Sequence, residues 1–466
     1  DTHSNCIKKL GENNNPEYGW SDDLREKIVQ YYSQLNETAS NDEFKFEKLR
    51  MIYRHLIQRG LSLDMQNGTF SETGIKSRTP NHMSGGMGVM TPIGKLIANT
   101  RDIIAGKGIY GLTYMMIAEW AYEGHRRASI GDVVMSDFCN KFVEDALRGL
   151  VISLDGSHPL GSWKDIKYFC NYWKKVTPYA SVATDPIFQY AFDLVCNQLR
   201  SDSQTHISSK RSLVAKWIPR EKSKKFGWIT KELAQHYFKN KEPNSLEWCR
   251  NPGPPFRKLV ASINKTLDTT QIKQCQNEWS KIDFDKGVTS ITMRKQSYAF
   301  QNKTKKGMGR LHLTEEKTDD RVRCAEHYSA YVTSCADKKS SVKAKGKNVS
   351  MVDFVKSAIE FGYSYGNDNE IEKMIINAQW ENSCENTGVL ENMIAMVDTS
   401  GSMEDDNGRP LYSAIGLGLR VAEKSTFGKR IMTFSNSPEW VNLDDCDNFV
   451  DCVLRVRKAP WGMNTN

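Results

Sequence analysis

The chain has 466 residues and a net charge of +8, with 39% hydrophobic, 10% aromatic and 26% charged residues. That balance excludes a globally disordered chain, since there is enough apolar surface to offset chain entropy, and the length allows two to four domains. No apolar run approaches the roughly 20 residues of a membrane-spanning helix, so no membrane association is expected; the start DTHSNCIKKL does not read as a signal peptide, and since it lacks an initiator Met, residues before Asp1 are an expectation.

Taken in order, residues 1–80 read as a polar helical segment. SDDLREKIVQYYSQL opens with Ser21 as the expected helix cap and acids in the first turn. FKFEKLRMIYRHLIQRG repeats the helical spacing and ends at Gly60, an expected C-cap. Residues 63–92 then read as a long glycine-rich loop. From Pro92 five helices are expected in series, from IGKLIANTRDIIAGKG to PIFQYAFDLVCNQLRSDSQ, with apolar residues recurring at three and four. Short Gly, Pro and Ser breaks separate them. Such a series suggests a helical-repeat array, in which each helix pair buries its apolar stripe on the next, although no strict period is visible.

A basic stretch, KRSLVAKWIPREKSKKFGWITKELAQHYFKN, follows, and from Ser201 to Arg310 there are about 23 Lys and Arg against about 9 Asp and Glu. Local excess of one sign, more than the total, favours polyanion binding. Lys216, Arg220, Lys222, Lys224 and Lys225 are interleaved with Trp217, Phe226 and Trp228, the mixture of phosphate-binding cations and stacking rings that RNA surfaces use. Arg126 and Arg127 fall between two expected helices and are a second candidate contact. The plain structural alternative for each is a solvated helix face. Arg101-Asp102 and Lys164-Asp165 read as ion pairs of a helical scaffold. Residues 287–350 are mixed and contain the basic loops KTKKGMGR and KKSSVKAKGK. NDNEIEKMIINAQWENSCEN reads as a further helix serving as a spacer.

From Leu390 the pattern becomes α/β: a short apolar strand NMIAMVD, a helix PLYSAIGLGLRVAEKST, strands at KRIMTFSN and WVNL, and a helix NFVDCVLRV. Strand, helix, strand in that order predicts a parallel sheet. Asp398 stands at the carboxyl end of the first strand, where α/β sheets place ligand sites. Ser400 and Ser402 follow at alternate positions around Gly401. A carboxylate with two hydroxyls is a hard oxygen set suited to Mg²⁺ or Mn²⁺. The alternative is an Asp that merely caps the next helix.

Enzyme signatures fail one by one. Ile75 separates Gly74 from Lys76 and breaks a phosphate-loop pattern, GGMGVM lacks its last glycine, and no His-Glu-x-x-His or nucleophile elbow occurs. His125, His206, His236, His312 and His327 have no catalytic partner at a recognisable spacing. Glu404, Asp405 and Asp406 crowd the turn after Asp398, but two-metal chemistry needs carboxylates from several strands. The chain therefore reads as a binding protein and not an enzyme. Its 11 cysteines are odd in number, with no CxxC pair and no zinc spacing, and are expected as reduced thiols of a cytoplasmic protein.

Asp398-Thr399-Ser400-Gly401-Ser402 resembles the Asp-x-Ser-x-Ser signature of von Willebrand factor A domains. That resemblance implies a metal-ion-dependent adhesion site (MIDAS) made by Asp398, Ser400 and Ser402, with Thr465 of WGMNTN at the position of the later Thr ligand. A further Asp would lie beyond Asn466. TRDIIAGKGIYGLTYMMIAEW, GSWKDIKYFCNYW and KWIPREKSKKFGW are similar to segments of a plant and giant-virus family that joins helical repeats to such a domain. The nearest likeness of that architecture is the Ro autoantigen family, whose TROVE ring of helical repeats binds small structured RNAs and misfolded RNA ends.

The resemblance implies a mainly α chain: an N-terminal helical segment (1–80), a HEAT-like or TROVE-like repeat array (81–387), and the first part of an α/β, Rossmann-like von Willebrand A domain (388–466), incomplete at its C-terminus. The expected function is a ribonucleoprotein-type RNA-binding scaffold that docks a protein partner through a divalent ion. The alternative is an assembly protein of a larger particle, a virion if the source is a giant virus.

Overall fold

The computed structural model describes residues 8–10, 16–66, 70–71, 74–75, 90–153, 156–205, 211–239, 251–306, 310–313, 318–337, 339–347, 349–363, 370–385, 387–388, 390, 392–434 and 438–459. These residues are mainly helical, with 18 α-helices and, near the C-terminus, a small three-stranded sheet. Packing divides the chain into two compact units, Asp1–Leu267 and Asp268–Asn466.

Unit 1 begins with a short hairpin, β1 (Lys8–Leu10) and β2 (Pro16–Tyr18). Then come α1 (Leu24–Gln34), α2 (Glu37–Asn41) and α3 (Glu43–Gln66), a two-residue hairpin of β3 (Phe70–Ser71) and β4 (Gly74–Ile75), and α4 (Met90–Arg101). The long helices α5 (Tyr110–Ser129), α6 (Val133–Val151), α7 (Trp163–Val176) and α8 (Pro186–Gln204) follow. The short α9 (Val214–Trp217), then α10 (Gly227–Phe238) and α11 (Gly253–Leu267), are the last of its described helices.

Two expected boundaries move. Asp23, not Ser21, caps α1, accepting from the N–H groups of Arg25 and Glu26, while the Ser21 hydroxyl donates to Glu26. Gly60 lies buried inside α3, which continues to Gln66, because packing outweighs its weak helix propensity.

Helix α5 is the centre of unit 1. Every residue from Leu112 to Ala121 is buried, as expected of a helix packed on all sides, here by α3, α4, α6 and α7. Trp120 stacks on Phe142 of α6 at 4.1 Å between ring centroids and donates its indole N–H to the Tyr53 hydroxyl. Below it, Asp165 of α7 takes two hydrogen bonds from Arg101 of α4, both 2.8 Å, and one from the Tyr114 hydroxyl at 2.6 Å. It also accepts the Ser162 N–H at the start of its own helix. Burial works against the Arg101 charge, but the hydrogen bonds and charge of Asp165 outweigh it and hold the guanidinium above its ordinary pKa. The expected scaffold pair is thus Arg101 with Asp165, across 64 residues, and not either acid with its sequence neighbour.

Unit 2 holds two cores. The unit opens with α12 (Thr270–Cys275), and the first core gathers a 3₁₀ turn at Trp279–Lys281, α13 (Ser290–Phe300) and α14 (Asp319–Ala336) around Phe284, Phe300 and Tyr328. A hairpin of β5 (Lys303–Lys306) and β6 (Arg310–Leu313) lies between α13 and α14. The second core joins α15 (Met351–Tyr363) and α16 (Glu370–Cys384) to the sheet segment. Trp380 of α16 stacks at 4.1 Å on Phe449 of the last helix, α18 (Phe449–Arg457). The segment expected as a spacer is therefore part of a core, since Ile376, Trp380 and Cys384 are buried with Val397 and Ile431.

In the sheet, β7 (Ala395–Asp398) pairs in parallel with β8 (Arg430–Phe434), with Asp398 opposite Phe434. α17 (Asp405–Lys424) makes the crossover between them. β9 (Trp440–Asn442) pairs with β8 antiparallel, so the sheet is not wholly parallel as expected: a parallel pairing needs a crossover of a dozen or more residues, and the chain between Phe434 and Trp440 is too short for one. Gly418 lets α17 lie directly on β7, because a Cβ there would sit 2.5 Å from Val397 Cγ2.

Of the cysteines, Cys139, Cys170, Cys196, Cys324, Cys384, Cys446 and Cys452 are free and buried. Burial pushes the Cys139, Cys170 and Cys196 thiols up to about 12, leaving them poor nucleophiles.

Candidate metal turn and nucleic-acid interface

The turn after β7 is built by local bonds. The Ser400 N–H donates to Asp398 Oδ1 at 2.8 Å, and the Thr399 N–H to the Phe434 carbonyl at 3.1 Å. The first bond closes an Asx turn; the second anchors the turn to the neighbouring strand. Gly401–Glu404 then forms one 3₁₀ turn. Asp406, Asn407 and Gly408 follow at φ of 50°, 59° and 74°, left-handed values that Asn, Asp and Gly tolerate best. Pro410 restarts the helix at a position where its missing N–H does no harm.

This geometry brings Asp398, Ser400 and Ser402 together. The Ser400 and Ser402 hydroxyl oxygens are 3.2 Å apart. Adjacent ligands of an octahedral ion with 2.0–2.1 Å bonds lie about 3 Å apart, so the pair fits one edge of such a shell. Asp398 is half-buried, and among the described residues no cation pairs with its carboxylate. The Thr399 hydroxyl is buried without a partner. Among the described residues no cluster of three His, Cys, Asp or Glu could hold a metal, so any ion here would rely on the Asp398 carboxylate with hydroxyls and water. Thr465 lies outside the described residues.

The basic stretch of unit 1 takes a form the sequence did not predict. Arg220, Lys222, Lys224 and Lys225 are exposed and Lys216 is half-buried. Lys164 and Lys167 of α7 join them. Lys164 lies 5.1 Å from the Tyr110 ring and 5.2 Å from the Tyr168 ring, and Lys167 lies 5.0 Å from Trp217 and 5.7 Å from Phe226. Lys225 sits over Phe226 at 5.3 Å, and Lys216 over Trp217 at 5.7 Å. These distances are within cation–π range.

Among the described residues none of these four lysines has a carboxylate partner. Desolvation lowers the pKa of Lys216, and desolvation together with the Lys164 charge lowers that of Lys167. The rings therefore gather ammonium groups that repel one another, a surface that an anion relieves. Lys164, Lys167 and Lys174 recur at helical spacing in SWKDIKYFCNYWKKV, a stripe that was readable in the sequence. Lys174 caps the Trp228 ring at 4.1 Å.

Arg126 and Arg127 do not belong to this surface. They lie in the last turn of α5 and not in a loop. Glu123 binds Arg126 at 2.6 Å and Arg127 at 2.8 Å, and Asp132 binds Arg127 at 2.9 Å. Their charges are neutralised locally, which removes the reason for reading them as RNA contacts.

Among known proteins, a family described as a domain of unknown function (DUF7788) matches residues 392–466, the segment that carries the sheet and the Asp398 turn. No curated protein and no solved structure matches the chain.

Proposed function

We propose that the protein is an RNA-binding scaffold and not an enzyme. The carrying observation is the cluster of Lys164, Lys167, Lys216 and Lys225 on Tyr110, Tyr168, Trp217 and Phe226, with no carboxylate among the described residues to neutralise it. Cations track a phosphate backbone, and partly exposed rings offer stacking faces to unpaired bases. In this reading the helices of unit 1 are a TROVE-like, HEAT-like repeat array and the protein works in the cytoplasm. No described helix is long and apolar enough to cross a membrane.

The test is fluorescence anisotropy with a labelled single-stranded RNA across a salt series. Four phosphate contacts give a log–log salt slope near −0.7 per contact, about −3 in all. Lys167→Glu with Lys225→Glu should weaken binding at least tenfold and flatten that slope by about half. Unchanged binding in that variant, or salt-independent binding, would sink the proposal.

A second reading is favoured by the Asp398 turn. Residues 392–466 would be the first part of a von Willebrand A domain, with Mg²⁺ or Mn²⁺ held by Asp398, Ser400, Ser402 and Thr465. The ion would offer a coordination position to a partner's carboxylate. Such a contact suits assembly into a larger particle, a virion included. Mn²⁺ titration followed by calorimetry, on the wild type and on Asp398→Ala, checks it: heat that persists in the variant removes the turn as the binding place.

A further inference from the structure

Unit 2 contains a cavity of about 490 Å³ that neither surface above uses. Lys343, Lys345 and Lys347 line one wall, and Lys286, Thr289 and Ser290 the other. The first wall is the segment Lys-Ala-Lys-Gly-Lys, and its alternation has a packing reason. Ala344 and Gly346 are buried, whereas Lys343 and Lys347 are exposed and Lys345 is half-buried. A Cβ at 346 would stand 1.7 Å from the Gln379 carbonyl oxygen, so only glycine lets the segment lie against α16. Two side chains of α16 fasten it there: Gln379 Nε2 donates to the Lys345 carbonyl at 2.9 Å, and Asn382 Oδ1 accepts the Gly346 N–H at 2.9 Å.

With the small residues turned inward, the lysines turn outward. Lys345 reaches across to the Val288 carbonyl at 3.4 Å, and Lys343 pairs with Glu385 at 2.5 Å. Lys286 and Lys347 have no ion pair among the described residues. Among the described residues four lysines thus line a space of small-ligand size, and Glu385 pairs with one of them.

We propose that this cavity binds an oligophosphate chain, as carried by a nucleoside triphosphate or by free tripolyphosphate. The three lysines stand at alternate positions of the segment, so their ammonium groups spread along the cavity instead of crowding on one phosphate. Among the described residues the cavity is lined by lysines, small or polar side chains and Val288, with no aromatic ring, so charge is what it recognises. This site is independent of the RNA surface, being made of other residues in the other unit.

The experiment is calorimetric titration of the full chain in metal-free buffer at 100 mM salt, first with tripolyphosphate and then with ATP. Lys345→Gln with Lys347→Gln should weaken tripolyphosphate binding at least tenfold with an unchanged melting temperature. Lys167→Glu with Lys225→Glu should leave it within twofold. Equal affinity for both ligands means the phosphate chain alone is read, and ATP at least tenfold tighter assigns the site to a nucleotide. The proposal is overturned if neither ligand binds, if the Lys345/Lys347 variant binds as well as the wild type, or if the unit 1 variant loses as much.

Discussion

Two basic regions of unit 1 carry similar sequence signals and opposite physics. Arg126 and Arg127 have Glu123 three and four residues before them, and both close on it within 2.8 Å. Lys164, Lys167, Lys216 and Lys225 find rings and no described acid. The difference teaches that counting cations does not locate an anion surface. What matters is whether the fold supplies a carboxylate, because a neutralised arginine offers little to a phosphate, whereas an ammonium held on a ring keeps its charge available.

The sharpest way to test the paired extreme is Asp165→Ala. It leaves Arg101 buried and alone, and should cost about 3–5 kcal/mol in chemical denaturation; a loss below about 1 kcal/mol would show that Arg101 reaches water. Next in size is the contrast in RNA binding: where Lys167→Glu with Lys225→Glu loses at least tenfold, Arg126→Ala should stay within about twofold, measured in one anisotropy series. If the two variants fall together, pairing does not separate the regions.

Smaller effects follow at Glu123. Burial raises its pKa, but hydrogen bonds from Arg126, Arg127 and Gln58 outweigh this and hold it below the ordinary glutamate value. The folded state therefore binds its proton less readily than the unfolded chain. The stability it contributes is present above the unfolded pKa of about 4.3 and is lost as pH falls through the lower folded value. Glu123→Gln should flatten that acid limb in urea melts from pH 5 to pH 2.5; an unaltered limb would mean the arginines do not act on it. The smallest expected change is Lys222→Glu. Lys222 is exposed and touches none of the rings, so its effect on RNA affinity should be about threefold or less at 150 mM salt.

Much of the helical layout was legible. The three-and-four spacing from Leu112 to Leu199 marks helices that the fold contains, and the run into Asp398 marks β7. The Asx turn was implicit in Asp-Thr-Ser-Gly-Ser, since an Asp two residues before an N–H has a natural acceptor geometry. Contacts distant in sequence were not legible. Asp165 stands next to Lys164 in the chain, yet helical geometry sends one to the core and the other to the surface, and the partner of Asp165 is 64 residues earlier. Glu123 could have been matched with Arg126 and Arg127, because acid-to-base spacing of three and four is a local signal. Alternation in Lys-Ala-Lys-Gly-Lys was visible as well, but nothing in sequence shows that 286–290 forms the facing wall.

The seat of α17 on β7 has a mechanical consequence. With no atoms to spare between Gly418 and Val397, the helix is keyed to the strand as a tenon to its mortise. The Asp398 turn is strung between these two fixed posts, and the Thr399 bond to Phe434 stays it from the side. A loop tethered in this way has little slack to surrender when it closes on a ligand, and preorganisation of that kind favours tight binding. On the proposed metal reading, capture at Asp398 would thus proceed without a rearrangement step, and a Gly418→Ala wedge, by prising the posts apart, would blur the turn from a distance without touching any of its oxygens.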